Sequence, residues 1–127
     1  MKLTSQVCTF EQAKKLFELG IAYESLFYIN LNNEIIPNDG ENCHDVKYGP
    51  YHAAFTVAEL CAMLLCDANE KSGWNIYWKK GKFQILYQGE AVKEFTNQAE
   101  ALAYLLILLI EKGFTMPEMC NDRLLNA

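Results

Sequence analysis

Apolar and polar positions recur along this chain with two periods, and each change of period marks an expected element. Ala13, Leu16, Phe17 and Gly20 follow Thr9-Phe10-Glu11-Gln12 at helical spacing. Thr9 and Gln12 stand as a capping box, in which the hydroxyl accepts from the Gln12 N–H and the Gln12 side chain returns to the Thr9 N–H. Glu11 to Lys15 and Lys14 to Glu18 are i,i+4 pairs, and Gly20 suits a left-handed stop, so a helix is expected over about 10–19. Period two then takes over in Leu26-Phe27-Tyr28-Ile29-Asn30-Leu31. Asn32-Asn33 tolerates positive φ, and Glu34-Ile35-Ile36 runs extended to Pro37, which predicts a hairpin. Residues 37–52 hold two prolines and two glycines with no sustained period, a long loop for a small domain.

Thr56 and Glu59 form a second capping box, with Phe55 stapled onto Leu60, and open a helix to about Ala68. Loss of that cap, as in Thr56→Ala, is expected to cost about 1 kcal/mol. Trp74 to Lys80 and Lys82 to Gln88 alternate with period two around a Lys80-Gly81 turn, a second hairpin. Trp74, Ile76 and Trp78 share one face of their strand, as do Phe83, Ile85 and Tyr87 on theirs. Ala91 to Phe95 reads as a further strand, and Asn97 with Glu100 caps a helix over about 97–112 that stops at Gly113. The expected order is α-β-β-α-β-β-β-α. Strands clustered in hairpins argue for the α+β class, an antiparallel sheet built from hairpins with three helices. Residues 1–113 read as a single domain and 114–127 as a C-terminal tail packed on it or at an interface. Phe55-Thr56 and Phe95-Thr96, forty positions apart, echo each other and raise the idea of an internal duplication.

The last helix is apolar over more of its circumference than one sheet face can cover. At roughly 100° per residue, Glu100, Tyr104 and Glu111 fall on one narrow arc, and leucines and isoleucines fill most of the rest. Two coverings would serve. The tail Phe114, Met116, Met119, Leu124 and Leu125 could fold back, or helix 2 could pack beside it; alternatively a homodimer could form through this helix, with Leu105, Ile107, Leu108, Met116 and Met119 at the interface.

Composition narrows the class. The 127 residues fit one domain, and 51% hydrophobic with 21% charged residues is the balance of a folded globule, which excludes disordered and fibrous classes. The net charge of −5 disfavours nucleic acid as a general partner. Residues 1–63 carry four Lys against eight acidic residues, and 64–127 seven Lys and Arg against eight, so any basic patch belongs to the second half. Five cysteines, Cys8, Cys43, Cys61, Cys66 and Cys120, lack a C-x-x-C pair, so reduced thiols and a cytoplasmic location are expected. Met1 to Gln6 reads as carrying no secretory signal, and the ten-residue apolar run 101–110 is short of the roughly 20 a membrane span needs.

Candidate chemistry is sparse. Cys43, His44 and His52 with Asp45 bring zinc-type ligands into one loop, although the spacing fits no standard zinc pattern and adjacent Cys43 and His44 rarely reach one ion. A Cys43–His52 nucleophile pair lacks an orienting group and an oxyanion hole. Asp39, Glu41 and Asp45 alternate like calcium ligands without the glycine and terminal glutamate of that loop. No Gly-rich phosphate loop, G-x-S-x-G or H-E-x-x-H is present, and no cofactor is implied. Trp74, Tyr77 and Trp78 with Lys79, Lys80 and Lys82 could form an aromatic and basic hairpin that stacks on bases; the alternative is a core face with lysines protecting the tip.

The stretch Thr9-Phe10-Glu11-Gln12-Ala13-Lys14-Lys15-Leu16-Phe17-Glu18-Leu19-Gly20, then Ala54-Phe55-Thr56-Val57-Ala58-Glu59-Leu60, then Thr96 through Ala101-Leu102 with Glu111-Lys112-Gly113, resembles a group of small uncharacterised proteins. They are common in anaerobic gut bacteria and in their prophages and mobile elements. The likeness covers most of residues 9–113 through helix caps and core positions. It implies a cytoplasmic protein of phage or mobile-element descent, without catalytic residues to carry over. The expected function is therefore a non-enzymatic one exercised through a protein partner, including a second copy of the chain. The alternative is a binding module for a small ligand or single-stranded nucleic acid that uses hairpin 74–87 and loop 37–52.

Overall fold

The computed structural model of the chain describes residues 6–21, 25–37, 51–64 and 72–126. Helix α1, Phe10–Glu18, starts at the expected box: Thr9 Oγ1 accepts from the Gln12 N–H and Gln12 Oε1 from the Thr9 N–H, both at 3.2 Å. The first hairpin is shorter than its apolar run, with β1 at Phe27–Ile29 and β2 at Ile35–Pro37. The buried Asn30 cuts it short, because its Oδ1 accepts from the backbone N–H groups of Asn32 and Glu34, both at 3.0 Å, and so organises a turn in place of a ladder. Strand β3, His52–Ala53, pairs antiparallel with β1 on its other side, giving the order β2-β1-β3.

Helix α2 spans Val57–Leu64. The second hairpin and its extension form a meander of β4 (Trp74–Lys79), β5 (Lys82–Tyr87) and β6 (Glu90–Phe95), with a register shift that leaves Val92 of β6 as the extra residue opposite Ile85 and Leu86. Helix α3 runs Gln98–Glu111, capped by Asn97 Oδ1 accepting from the Glu100 N–H at 3.2 Å, and α4 runs Pro117–Leu125.

The α+β class stands, but the single sheet, the three helices and the order α-β-β-α-β-β-β-α do not. Among the described residues there are two three-stranded antiparallel sheets and four helices, in the order α-β-β-β-α-β-β-β-α-α. Strand β3 has two residues, too few to show a period. Helix α4 has no side-chain cap at Met116; its start signals are Pro117 and the acidic Glu118 in its first turn, which the reading of 114–127 as a tail did not use. The two sheets differ in connection: β3 joins the first strand of its sheet, whereas β6 joins the second. The repeated Phe-Thr therefore marks two helix starts and gives no support to a duplication.

Helix α3 lies at the centre. It packs against α1 and α2 on one side and against all three strands of the second sheet on the other. Leu105, Leu106 and Leu109 are fully buried there, and Ala99, Ala101 and Ala103 let neighbouring backbone approach. Each buried leucine contributes about 1.5–3 kcal/mol relative to exposure. Most of the broad apolar arc is thus covered within the chain, with Ile107, Leu108 and Ile110 left half-buried. Helix α4 packs on α2, with Arg123 Nη1 donating to the Met63 carbonyl and Asn121 Nδ2 to the Gly20 carbonyl, both at 3.0 Å. Among the described residues, no helix is long and apolar enough to cross a membrane.

Candidate functional site

The β4–β5 hairpin carries most of the residues singled out from the sequence, and its register decides which can act together. Lys80 (φ 52°) and Gly81 (φ 78°) both take the left-handed region, as a two-residue hairpin turn requires. That turn sets Trp74 opposite Tyr87, Ile76 opposite Ile85 and Trp78 opposite Phe83, so all six share one sheet face, from which Trp74, Ile76, Phe83 and Ile85 pack into the core. Trp74 is buried, its ring 4.7 Å from that of Tyr87 and Lys112 Nζ 5.9 Å from its centre. It is a packing residue and offers no open face for stacking, contrary to the expectation for it.

Trp78 and Tyr77 are 62% and 54% exposed. As neighbours in a strand they point to opposite faces, so they cannot stack successive bases side by side. Lys79, Lys80 and Lys82 are exposed at the tip. Lys82 Nζ lies 3.8 Å from Glu94, whose Oε1 also accepts from Gln84 Nε2 at 2.8 Å, and Gln84 pairs with Tyr77. A carboxylate therefore shares the Tyr77 face. Along the free edge of β4 the Trp74 N–H donates to Ser72 Oγ at 3.1 Å and the Ile76 N–H to Asn75 Oδ1 at 2.8 Å, which blunts the edge with the chain's own side chains.

Trp78 flanks Phe83, and Phe83 opens onto a groove of about 670 Å3. One wall is the start of α2 (Thr56, Val57, Ala58), the other the β6–α3 junction (Thr96, Asn97, Gln98), and Gln6 closes one side. Local structure fixes each wall. An antiparallel bridge from Val7 to Thr56 and the Cys8 N–H donating to the Phe55 carbonyl at 3.0 Å hold Gln6 beside α2. Thr56 is held by Glu59: the Thr56 N–H and hydroxyl donate to Glu59 Oε1 at 3.0 and 3.1 Å, and the Glu59 N–H donates to Thr56 Oγ1 at 3.3 Å. Glu59 also accepts from Ser25 Oγ at 2.8 Å and from the Leu26 N–H at 3.3 Å, which turns its carboxylate toward the β1 side. Gln6, Thr96 and Gln98 are exposed, and their side chains make no hydrogen bond to the described residues. The described lining carries no charged side chain.

A second groove, about 450 Å3, runs along the flank of α3 between Gln12, Tyr104, Ile107, Leu108, Glu111 and Lys112. Of the residues expected at an interface, Leu105 is fully buried and has no surface for a partner. Ile107 and Leu108 are half-buried in this groove, and Met116 and Met119 are 57% and 47% exposed around the start of α4.

Of the metal candidates, Cys43 and His44 lie outside the described residues, as does most of the 37–52 loop. His52 is buried in β3 between the rings of Phe10, at 5.6 Å, and Phe17, at 5.2 Å. Burial pushes its pKa below the usual imidazole value, Lys14 adds to that, and Glu18 opposes it. Among the described residues no group of three or more His, Cys, Asp or Glu is placed to hold a metal ion. Burial drives the Cys8 thiol up to about 12 and also raises Cys61 and Cys120, the reverse of what a reactive thiolate needs.

The groove joins residues that sequence reasoning read separately. Thr56, Thr96 and Asn97 stood only as helix starts and Phe83 as one aromatic among several; the repeated Phe-Thr was the available signal, since both copies end at this groove. Comparison with protein-family models, curated proteins and solved structures returns no match.

Proposed function

We propose that the protein is a non-enzymatic binding module whose site is the groove between the starts of α2 and α3, with Phe83 in its wall and Trp78 beside it. The observation that carries this reading is Phe83 in the wall of a formed concavity, with its cross-strand partner Trp78, 62% exposed, on the same face of the sheet. Leaving apolar surface in water costs about 25 cal/mol per Å2, and a ligand that covers the ring recovers that energy. Titration of 15N-labelled protein with a set of small neutral and charged fragments tests it. Shifts should cluster on Gln6, Thr56, Thr96, Gln98 and the Trp78 indole, and a set that produces no such cluster sinks the reading.

A protein interface is the second reading, favoured by the exposed Phe114, Met116 and Met119 around the start of α4, since flexible methionines suit an adaptable contact surface. A homodimer through α3 would have Ile107 and Leu108 as its apolar surface, since α1, α2 and the second sheet cover the rest of the arc. Light scattering behind size exclusion tests what remains: a mass of 14.5 kDa at micromolar protein removes self-association from this reading. The cytoplasmic setting and the mobile-element descent stay within this proposal, supported by the scattered cysteines and the resemblance described above.

A further inference from the structure

The groove's own chemistry narrows what it would hold. Thr96, Gln6 and Gln98 offer a hydroxyl and two carboxamides, groups that both donate and accept, and no charged side chain of the described lining faces them. The matching ligand presents donors and acceptors along one edge without formal charge. Phe83 shares that lining, and Trp78, its cross-strand neighbour on the same sheet face, lies next to it with Cβ atoms about 5 Å apart. Aromatic faces carry negative charge density and attract the slightly positive C–H bonds of a flat aliphatic surface. One chemical class has both an apolar C–H face and an uncharged rim of hydroxyls: the sugar ring. A volume of about 670 Å3 lies within the range of small-molecule sites, roughly 300–1,000 Å3.

Two rival ligand types fit less well. An anion would look to the positive ends of α2 and α3, but each helix carries a glutamate in its first turn, Glu59 and Glu100, which offsets that end. An extended peptide would look to the edge of β4, where the N–H groups of Trp74 and Ile76 are already engaged by Ser72 and Asn75. We infer that the groove binds a neutral oligosaccharide, sugar ring against Trp78 and Phe83, hydroxyls toward Gln6, Thr96 and Gln98; the inference rests on the groove being the functional site.

The full chain, 15N-labelled, is titrated with cellotetraose, maltotetraose, chitotriose and mannotriose to about 10 mM each, well past a millimolar Kd. At least one should give saturable shifts of the Trp78 indole N–H and of the Gln6 and Gln98 side-chain amides. Trp78→Ala should weaken that binding about tenfold, as loss of an aromatic contact implies. Gln98→Ala should weaken it about threefold, the effect of one neutral hydrogen bond. Both positions are exposed, and the exposed Leu31→Ser in the first hairpin should leave binding unchanged. The inference is overturned if none of the four sugars moves the groove signals, if Trp78→Ala binds as the parent does, or if adenosine monophosphate binds there and the sugars do not. Fragments that mark the groove while all four sugars stay silent defeat the sugar inference and leave the binding reading standing; silence from both removes both.

Discussion

Glu59 holds more of this structure than its place in a helix cap implies. Its carboxylate accepts four hydrogen bonds: from the Thr56 N–H and hydroxyl, from Ser25 Oγ and from the Leu26 N–H. The first two belong to the cap of α2, and the other two tie α2 to the segment that enters β1. Glu59→Ala removes the cap's return bond, worth about 1 kcal/mol. It also strips the buried Ser25 hydroxyl of its shorter acceptor, leaving the Ala54 carbonyl at 3.3 Å, and leaves the Leu26 N–H to water. Weakening a buried polar group in this way costs about 1–3 kcal/mol. The expected loss is about 2–4 kcal/mol, a large part of the roughly 5–15 kcal/mol by which such domains are stable. At this chain length the melting temperature should fall about 10 °C. Glu59→Gln keeps one acceptor oxygen for Ser25 and Thr56 but turns an amide toward the Leu26 N–H, so about half the loss is expected. Urea unfolding followed by far-UV circular dichroism gives the free energies, and a Ser25→Ala/Glu59→Ala double-mutant cycle should return a coupling of about 1 kcal/mol. If Glu59→Ala costs no more than Thr56→Ala, about 1 kcal/mol, the bridge to β1 contributes nothing and the reasoning fails.

Three further outcomes are expected. His52 is held neutral by burial and by Lys14, against Glu18, so between its folded pKa and about 6.5 the unfolded chain binds the proton and the folded one resists it. Stability from this group is therefore present at pH 7 and declines as the pH drops below about 6.5; thermal melts of His52→Phe should show a shallower decline than the parent between those limits, and equal slopes refute the assignment. Native alkylation with iodoacetamide and peptide mapping should label the exposed Cys61 and spare the buried Cys8 and Cys120, so rapid labelling of Cys8 would contradict its enclosed position. At the hairpin tip, Gly81→Ala meets no atom within 4 Å, so its cost, about 1–2 kcal/mol, comes from φ +78° alone, and Lys80→Asn should gain up to about 0.5–1 kcal/mol by suiting φ 52°. Urea midpoints measure both, and a neutral Gly81→Ala would rule out the two-residue turn.

Elements with local signals were legible from residue types alone. The two capping boxes, the Lys80-Gly81 turn and the stop at Gly113 each depend on a few neighbouring residues, and each stands where the pattern put it. What the chain hides is non-local. Nothing near residues 52–53 says that they pair with β1, because the pairing is decided by contacts with β1 and α1, both distant in sequence. Asn30 looked like one more strand residue, since its role in the turn depends on its own side chain reaching two backbone N–H groups. Trp74 and Trp78 are alike in sequence and differ in burial only because Trp74 lies opposite Tyr87 under Lys112, whereas Trp78 lies toward the hairpin tip beside Phe83. The groove was the least legible feature, for it is made where two helix starts forty residues apart come together, and no periodicity reports such a meeting.

Helix α3 is central in space and late in sequence, and that mismatch bears on how the protein is made. During synthesis at about 5–20 residues per second, α1, the first sheet and α2 leave the ribosome several seconds before the helix that fills their interior. Until Glu111 has emerged, α1 and α2 lack the helix they both pack against. A chain arrested before residue 98 lacks the helix on which both halves pack, and should be cleared by proteases without accumulating as a folded fragment.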